Sequence, residues 1–130
     1  MFFNYLTGNM DAHAKNLSFL YHLKQIRIAP FYDMLCTTIY EGLSQKLAMK
    51  IGTENRLEWI MGRHWEKLAV EINIHPGVLK KQLLNFCHKM INRLEKPHPV
   101  LFKGHERNEF IQEIIFIIKE RSEQTIERLG

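Results

Sequence analysis

The sequence is poor in cysteine, proline and glycine. Its 130 residues contain 2 cysteines, 4 prolines and 7 glycines. Cys36 and Cys87 lie far apart with no C-x-x-C pair, which excludes a disulfide-stapled miniprotein and a zinc module built on paired cysteines. The composition is 45% hydrophobic and 25% charged, as expected of a folded globular chain and not of a low-complexity one. We expect a single domain over residues 1–130.

Long apolar runs are also missing. The longest covers residues 114–118, far too few to cross a bilayer as a helix. The first residues, Met1-Phe2-Phe3, lack the cationic start and the extended apolar region of a signal peptide. We therefore expect a cytoplasmic protein that does not contact a membrane.

The excess of positive charge is mild. Lysine and arginine number 18 against 14 acidic residues, which gives a net charge of +4. Seven of the basic side chains fall within residues 75–107: Lys80, Lys81, Lys89, Arg93, Lys96, Lys103 and Arg107. A solvated helix face explains them most simply, so direct nucleic-acid binding is not expected. Retention on DNA with a steep salt dependence would reveal it.

The first 30 residues predict one helix end and one hairpin. Phe2 to Leu6 resemble the last turns of a buried helix, which Gly8 ends by adopting a positive φ. The β-prone runs 17–21 and 25–28 predict a short antiparallel hairpin. Residues 34–55 are irregular, with a short strand or helix possible at 47–49.

The second half of the chain is predicted to be helical. From about Arg56, apolar residues recur at spacings of three and four, with Gly62 as a break between two helices. Pro76 suits the first turn of the next helix, and a last helix covers about residues 107–129. We expect the middle of this helix, Ile114 to Ile118, to be buried centrally; a surface covered by another lobe or a partner protein is the alternative. The expected core aromatics are Trp59, Trp65, Phe86, Phe110 and Phe116. The fold class is therefore mostly α, with a short β-hairpin near the amino terminus.

Polar residues able to carry chemistry are concentrated before and after the predicted hairpin. Asp11 and Asn16 lie five apart in one loop, the spacing found in the catalytic loop of protein kinases. There an aspartate accepts the proton of the substrate hydroxyl and an asparagine binds magnesium. The hairpin returns the chain so that Asp33 could supply the second metal-binding carboxylate. A cluster of turn-forming and capping residues is the alternative interpretation.

The longer strings around these residues are more specific. The loop reads G-N-x-D-x-H-x-K-N from Gly8 to Asn16, and A-P-x-Y-D follows from Ala29 to Asp33. Both resemble the carboxy-terminal lobe of HipA-like serine/threonine kinases, the toxins of bacterial HipA–HipB toxin–antitoxin pairs. The lysine four residues after Asp11 and the Met34-Leu35 after Asp33 depart from ordinary eukaryotic kinases.

The resemblance implies a role for each matching residue. Asp11 would be the catalytic base, and Asn16 and Asp33 would hold Mg²⁺. The residues implied at the ATP nucleotide are His13, Ala14, Lys15, Asn16, Tyr32 and Asp33. It divides the chain into the catalytic loop, hairpin and metal segment (residues 1–35) and a helical part (56–130).

The resemblance also implies partners. Family members phosphorylate a serine or threonine, on an aminoacyl-tRNA synthetase in well-known cases, and a HipB-type antitoxin restrains them. The phosphate-covering loop and nucleotide-anchoring lysine of the amino-terminal lobe have no counterpart here, so we expect this chain to be inactive alone. The alternative is a non-catalytic helical module that binds an antitoxin or a separately encoded kinase lobe.

Overall fold

The computed structural model describes residues 1–32, 34–96, 103–104 and 108–130. The described chain is mostly helical, which confirms the predicted fold class. Its helices and strands in chain order are α1 (Phe2–Thr7), β1 (Phe19–His22), β2 (Gln25–Ile28), β3 (Lys46–Ile51), β4 (Glu54–Arg56), α2 (Gly62–Glu71), α3 (Pro76–Glu95) and α4 (Glu109–Leu129). Short 3-10 turns lie at Ala14–Asn16, Thr37–Ile39 and Leu57–Trp59. Within the described chain, no helix has the length and apolar character needed to cross a membrane.

Helix α1 ends as predicted, with Gly8 in the left-handed conformation at φ 68°. The amide of Gly8 donates to the carbonyl of Tyr5, and the amide of Asn9 donates to that of Asn4 at 2.8 Å. This pair of bonds is the Schellman motif that closes many helices. It turns the chain directly from a buried helix into the polar loop.

The predicted first hairpin is present. Strands β1 and β2 pair antiparallel, and its two turn residues, Leu23 and Lys24, both have positive φ, as a two-residue hairpin turn requires. Phe19 pairs with Ile28 and Tyr21 with Ile26, so one face of the hairpin is apolar. These four side chains are all exposed.

A second hairpin includes residues 47–49, for which the sequence allowed either a short strand or a short helix. Strands β3 and β4 pair antiparallel through Lys46 with Arg56 and Ile51 with Glu54. The turn needs Gly52, which has φ 58° and lies so close to α2 that a Cβ would sit 2.6 Å from the carbonyl oxygen of His64. Leu47 and Ile51 are buried, and this hairpin packs on α2.

The helices enclose the core. Helix α3 packs against both α2 and α4, and α1 packs against α4 and α3. Pro76 begins α3 as predicted, with His75 Nδ1 accepting the Gly77 amide. The predicted helix before Gly62 is wrong: strand β4 and the 3-10 turn Leu57–Trp59 occupy that segment, and Gly62 is the first residue of α2. The largest apolar core side chains are Tyr5, Leu6, Met10, Leu47, Ile51, Leu57, Ile60, Trp65, Leu68, Leu79, Leu83 and Leu129.

Two predictions about the core are wrong. The middle of α4 is not buried centrally: Ile118 is buried, but Phe116 is 64% exposed. Trp59 and Phe110 are also largely exposed, whereas Trp65 is buried with edge contacts to Phe2 and Tyr5. Among the described elements, α3 and α1 make the main contacts with α4, and they leave part of its apolar residues exposed.

Candidate functional site

The loop after α1 is anchored at its base and open at its tip. Asn9 and Met10 are buried, whereas the side chain of Asp11 is 65% exposed. Asn9 Oδ1 accepts the amide of Asp11 at 3.1 Å, a turn typical of asparagine. The Met10 carbonyl accepts the amide of Ala48 and so connects the loop to β3. The loop is therefore fixed on the core while Asp11 faces solvent.

Thr37 is the main tertiary anchor of this loop. Its Oγ1 accepts the Met10 amide at 2.8 Å and donates to the Gly8 carbonyl at 2.9 Å, and both bonds are buried. Sequence reasoning missed Thr37. No local signal could have identified it, because it lies 27 residues from Met10 in an irregular segment.

Asp11, His13 and Asn16 are brought together around the loop. His13 Nε2 lies 3.3 Å from Asp11 Oδ1, and Asn16 Nδ2 donates to the Asp11 carbonyl at 3.2 Å. His13 Nδ1 is buried and has no hydrogen-bond partner among the described residues. The 3-10 turn Ala14–Asn16 gives Asn16 its position, while the Ala14 and Lys15 side chains are exposed.

Tyr32 reaches back over the loop. Its hydroxyl lies 3.4 Å from the Lys15 carbonyl oxygen and 3.3 Å from Ser18 Oγ. The segment after the first hairpin therefore returns beside the loop, as the sequence predicted. Asp33, the next residue and the predicted second metal ligand, lies outside the described residues.

A mostly apolar cavity of about 390 Å³ adjoins the loop. His13, Asn16 and Tyr32 form its polar side, and Ala12, Phe31 and Met34 lie beside them. Its apolar side comes from Phe2, Leu17, Leu47, Met49, Ile51 and Phe86. Asp11, Ala14 and Lys15 are not on its wall. Its size falls in the usual range for a small-molecule site, and its walls suit a flat apolar group next to polar atoms.

The donor chemistry fits a hard cation only in part. The Asp11 carboxylate and the Asn16 amide carry side-chain oxygens in the loop, and oxygen is the ligand atom that Mg²⁺ prefers. Within the described ranges, no group of three or more histidine, cysteine, aspartate or glutamate side chains could hold a metal ion.

Two known proteins are similar to this chain in sequence. A protein of Sinorhizobium fredii named "Putative kinase Y4mE" is 37% identical over 83 residues, which is 64% of this chain and 20% of that protein. The serine/threonine-protein kinase toxin HipA of Shewanella oneidensis is 46% identical over 52 residues, 40% of this chain and 12% of the toxin. The chain thus spans a fifth or less of these relatives.

A solved structure shares the fold. One chain of the Shewanella oneidensis MR-1 toxin–antitoxin complex of HipA, HipB and operator DNA superposes with a TM-score of 0.84 and 24% identity. The match covers 98% of this chain and 30% of that one. The family model described as the HipA-like C-terminal domain matches residues 1–97. Because this match covers most of the sequence, the chain belongs to the HipA-like C-terminal domain family.

Proposed function

We propose that this chain supplies the catalytic-loop part of a HipA-type serine/threonine protein kinase. One observation carries the proposal: Asp11 is exposed at the tip of a firmly anchored loop, next to a cavity walled by His13, Asn16 and Tyr32. Phosphoryl transfer to a protein hydroxyl needs an accessible proton acceptor beside a bound nucleotide. Family membership makes this chemistry the first one to test.

In the proposed reaction, Asp11 accepts the proton of a serine or threonine hydroxyl. The hydroxyl oxygen forms a bond to the γ-phosphorus of ATP, and the bond from that phosphorus to the β,γ-bridging oxygen breaks to release ADP. His13, 3.3 Å from Asp11 Oδ1, orients the carboxylate. Asn16 holds the loop closed through its bond to the Asp11 carbonyl.

The proposed cofactor is Mg²⁺, with ATP as co-substrate. Asn16 and Asp33 would hold the ion, which when bound offsets the negative charge of the phosphates. His13, Ala14, Lys15 and Tyr32 would contact the nucleotide together with them. The apolar wall of the cavity would take the base.

The proposed partners rest on two observations: what the related proteins bind, and how small a part of their length this chain covers. The structural neighbour is a complex with HipB, which supports a HipB-like antitoxin as a binding partner. The chain spans 12% of the Shewanella toxin, and we propose that an amino-terminal kinase lobe must complete the active site. Alone, the 130 residues would transfer no phosphate. An aminoacyl-tRNA synthetase is the proposed substrate, and the cytoplasm the proposed location.

Nucleotide binding tests the cavity. Magnesium-ATP is titrated into the labelled chain by NMR, with and without an amino-terminal lobe from a HipA relative. Asn16→Ala should weaken magnesium-dependent binding at least about tenfold, because it removes a polar contact to a charged ligand. Asn85→Ala, an exposed site on α3, is the matched control. Equal affinities of the two variants would contradict the proposal.

Phosphate transfer tests the base. With the lobe supplied, radiolabelled ATP should phosphorylate a seryl peptide, and Asp11→Asn should lower kcat by about 10²–10⁴-fold, the usual contribution of a general base. Glu66→Gln removes an exposed carboxylate elsewhere and should have no effect. Full activity of Asp11→Asn would refute its assignment, and transfer by the chain alone would refute the need for the lobe.

The exposed apolar face of the first hairpin favours a second candidate, a non-catalytic module that binds an antitoxin or a kinase lobe. Tyr21 is 80% exposed on this face, and His22 lies on the opposite face. An isolated two-stranded hairpin is marginally stable, so a partner would stabilise it. Tyr21→Ser should abolish capture of the lobe while His22→Ser should not. Capture without any nucleotide binding would favour this candidate over the kinase.

A further inference from the structure

A second cavity, of about 350 Å³, lies between the β3–β4 hairpin and helix α4. Tyr5 lines both this cavity and the one beside the catalytic loop. Its described walls carry four cationic side chains and a single carboxylate, that of Glu58. The cations are Lys46, Arg56, Arg121 and Arg128. The function proposed above uses none of them.

Arg121 is half-buried and forms no ion pair among the described residues. Its Nη1 donates to the Leu6 carbonyl at 2.9 Å. Burial lowers the pKa of its guanidinium. Buried charges in proteins are normally paired, because removing them from water is costly. The guanidinium therefore faces a cavity in which a negative group would lower its energy.

Two more cations are held next to each other at the cavity mouth. Lys46 and Arg56 are direct cross-strand partners in the β3–β4 hairpin. Like charges at paired positions destabilise a sheet unless an anion lies between them. The Arg56 guanidinium lies over the Trp59 ring, 4.2 Å from its centroid, which fixes its position although Trp59 is 54% exposed.

Arg128 contributes a third guanidinium. Its Nη1 donates a hydrogen bond to the Ile60 carbonyl oxygen at 3.4 Å. A guanidinium has five N–H donors in a planar fork that matches the oxygens of phosphate. Arg121 and Arg128, two turns apart on α4, therefore retain donors for a ligand.

We propose that this cavity binds a phosphoryl dianion, as free phosphate or as the phosphate of a phosphorylated side chain. The described cavity wall carries three guanidinium groups and one acidic side chain, that of Glu58. This excess of positive charge favours a ligand with two negative charges and several acceptor oxygens, such as phosphate, over a singly charged carboxylate ligand. The cavity is large enough to take the residue that carries such a phosphate.

The anion site is connected to the catalytic loop. Arg121 binds Leu6 at the end of α1, and a Cβ on Gly8 would lie 2.5 Å from its Nη1. An anion that binds the Arg121 guanidinium would therefore change its contacts with Leu6 and Gly8, where the loop begins. Simple capping of the α1 carbonyl by Arg121 is the alternative explanation, and it predicts no anion binding.

The test titrates inorganic phosphate and O-phospho-L-serine into the labelled 130-residue chain at constant ionic strength, with NMR detection. Both should bind and shift the amide signals of Gly8 and Asn9. Arg56→Gln should weaken binding about tenfold, as expected for losing a charge-assisted contact. Arg93→Gln, an exposed arginine on α3, is the matched control and should bind as the unmodified chain does.

The outcomes are distinct. Tighter binding of phosphoserine supports a phosphorylated side chain, and equal binding supports free phosphate. No binding, or equal loss in Arg56→Gln and Arg93→Gln, overturns the proposal. Asn16 lines the first cavity and not this one. Phosphate binding in the second cavity is therefore tested independently of whether the first cavity binds nucleotide.

Discussion

Replacing Thr37 by valine should destabilise the protein by removing the anchor of the catalytic loop. Valine has nearly the same shape as threonine but no hydroxyl. The change therefore leaves the Met10 amide and the Gly8 carbonyl without their partner. Both bonds are buried, so water does not replace them without rearrangement.

The magnitude follows from those two bonds. A buried polar group left unsatisfied costs about 1–3 kcal/mol, so the two together predict a loss of about 2–6 kcal/mol. That is a large fraction of the ~5–15 kcal/mol by which domains are usually stable. The valine methyl adds apolar contact and offsets a small part of the loss.

Urea unfolding followed by circular dichroism measures this loss, provided that the m-value is unchanged. Thr37→Ser keeps the hydroxyl and should recover most of the stability. Thr53→Val, at an exposed turn, is the control and should change the free energy of unfolding by less than about 0.5 kcal/mol. Amide exchange at Met10 should accelerate in Thr37→Val. A valine variant as stable as the Thr53→Val control would refute the anchoring role.

Three further predictions concern the core. Gly8→Ala should cost at least about 2 kcal/mol in unfolding free energy, because φ is positive and the new Cβ would lie 2.5 Å from Thr38 Oγ1. Trp65→Ala should cost about 3–5 kcal/mol in the same assay, and Trp59→Ala under about 1 kcal/mol, since only the former is buried. Burial raises the pKa of Cys87 from 9.0 to about 11, so its thiol should resist iodoacetamide, detected by mass spectrometry, until the protein unfolds. The unfolded thiol ionises first, so stability should fall as the pH rises from 9.0 towards about 11, and equal labelling of native and unfolded protein would contradict this.

The candidate site could be predicted where its signal is local. The loop from Gly8 to Asn16 has a sequence pattern dense enough to identify, and the structure brings His13 and Asn16 together with Tyr32 as the hairpin implied. The catalytic and metal roles stay predictions, and Asp33 lies outside the described residues. The apolar side of the cavity was not foreseen, because Leu47 and Phe86 come from β3 and α3, far along the chain.

The errors have a common physical cause. Periodicity identifies which residues of a helix are apolar, but not which neighbours cover them. The sequence therefore predicted helix α4 correctly and the burial of Phe116 wrongly. Likewise, the sequence predicted Trp59 on a buried apolar stripe, but it lies in the 3-10 turn Leu57–Trp59, where its ring packs under Arg56 at the surface.

The amino-acid sequence by itself determined the helices, the first hairpin and the loop motif, because turns, caps and periodic patterns depend on residues a few positions apart. Only the tertiary structure decided how the loop is held and what surrounds it. Thr37 anchors the loop from a distant turn, and Arg121 reaches Leu6 across 115 positions of sequence. Such contacts depend on how elements pack, and no local pattern records them. The cationic cavity between β3, β4 and α4 is visible for the same reason only in three dimensions.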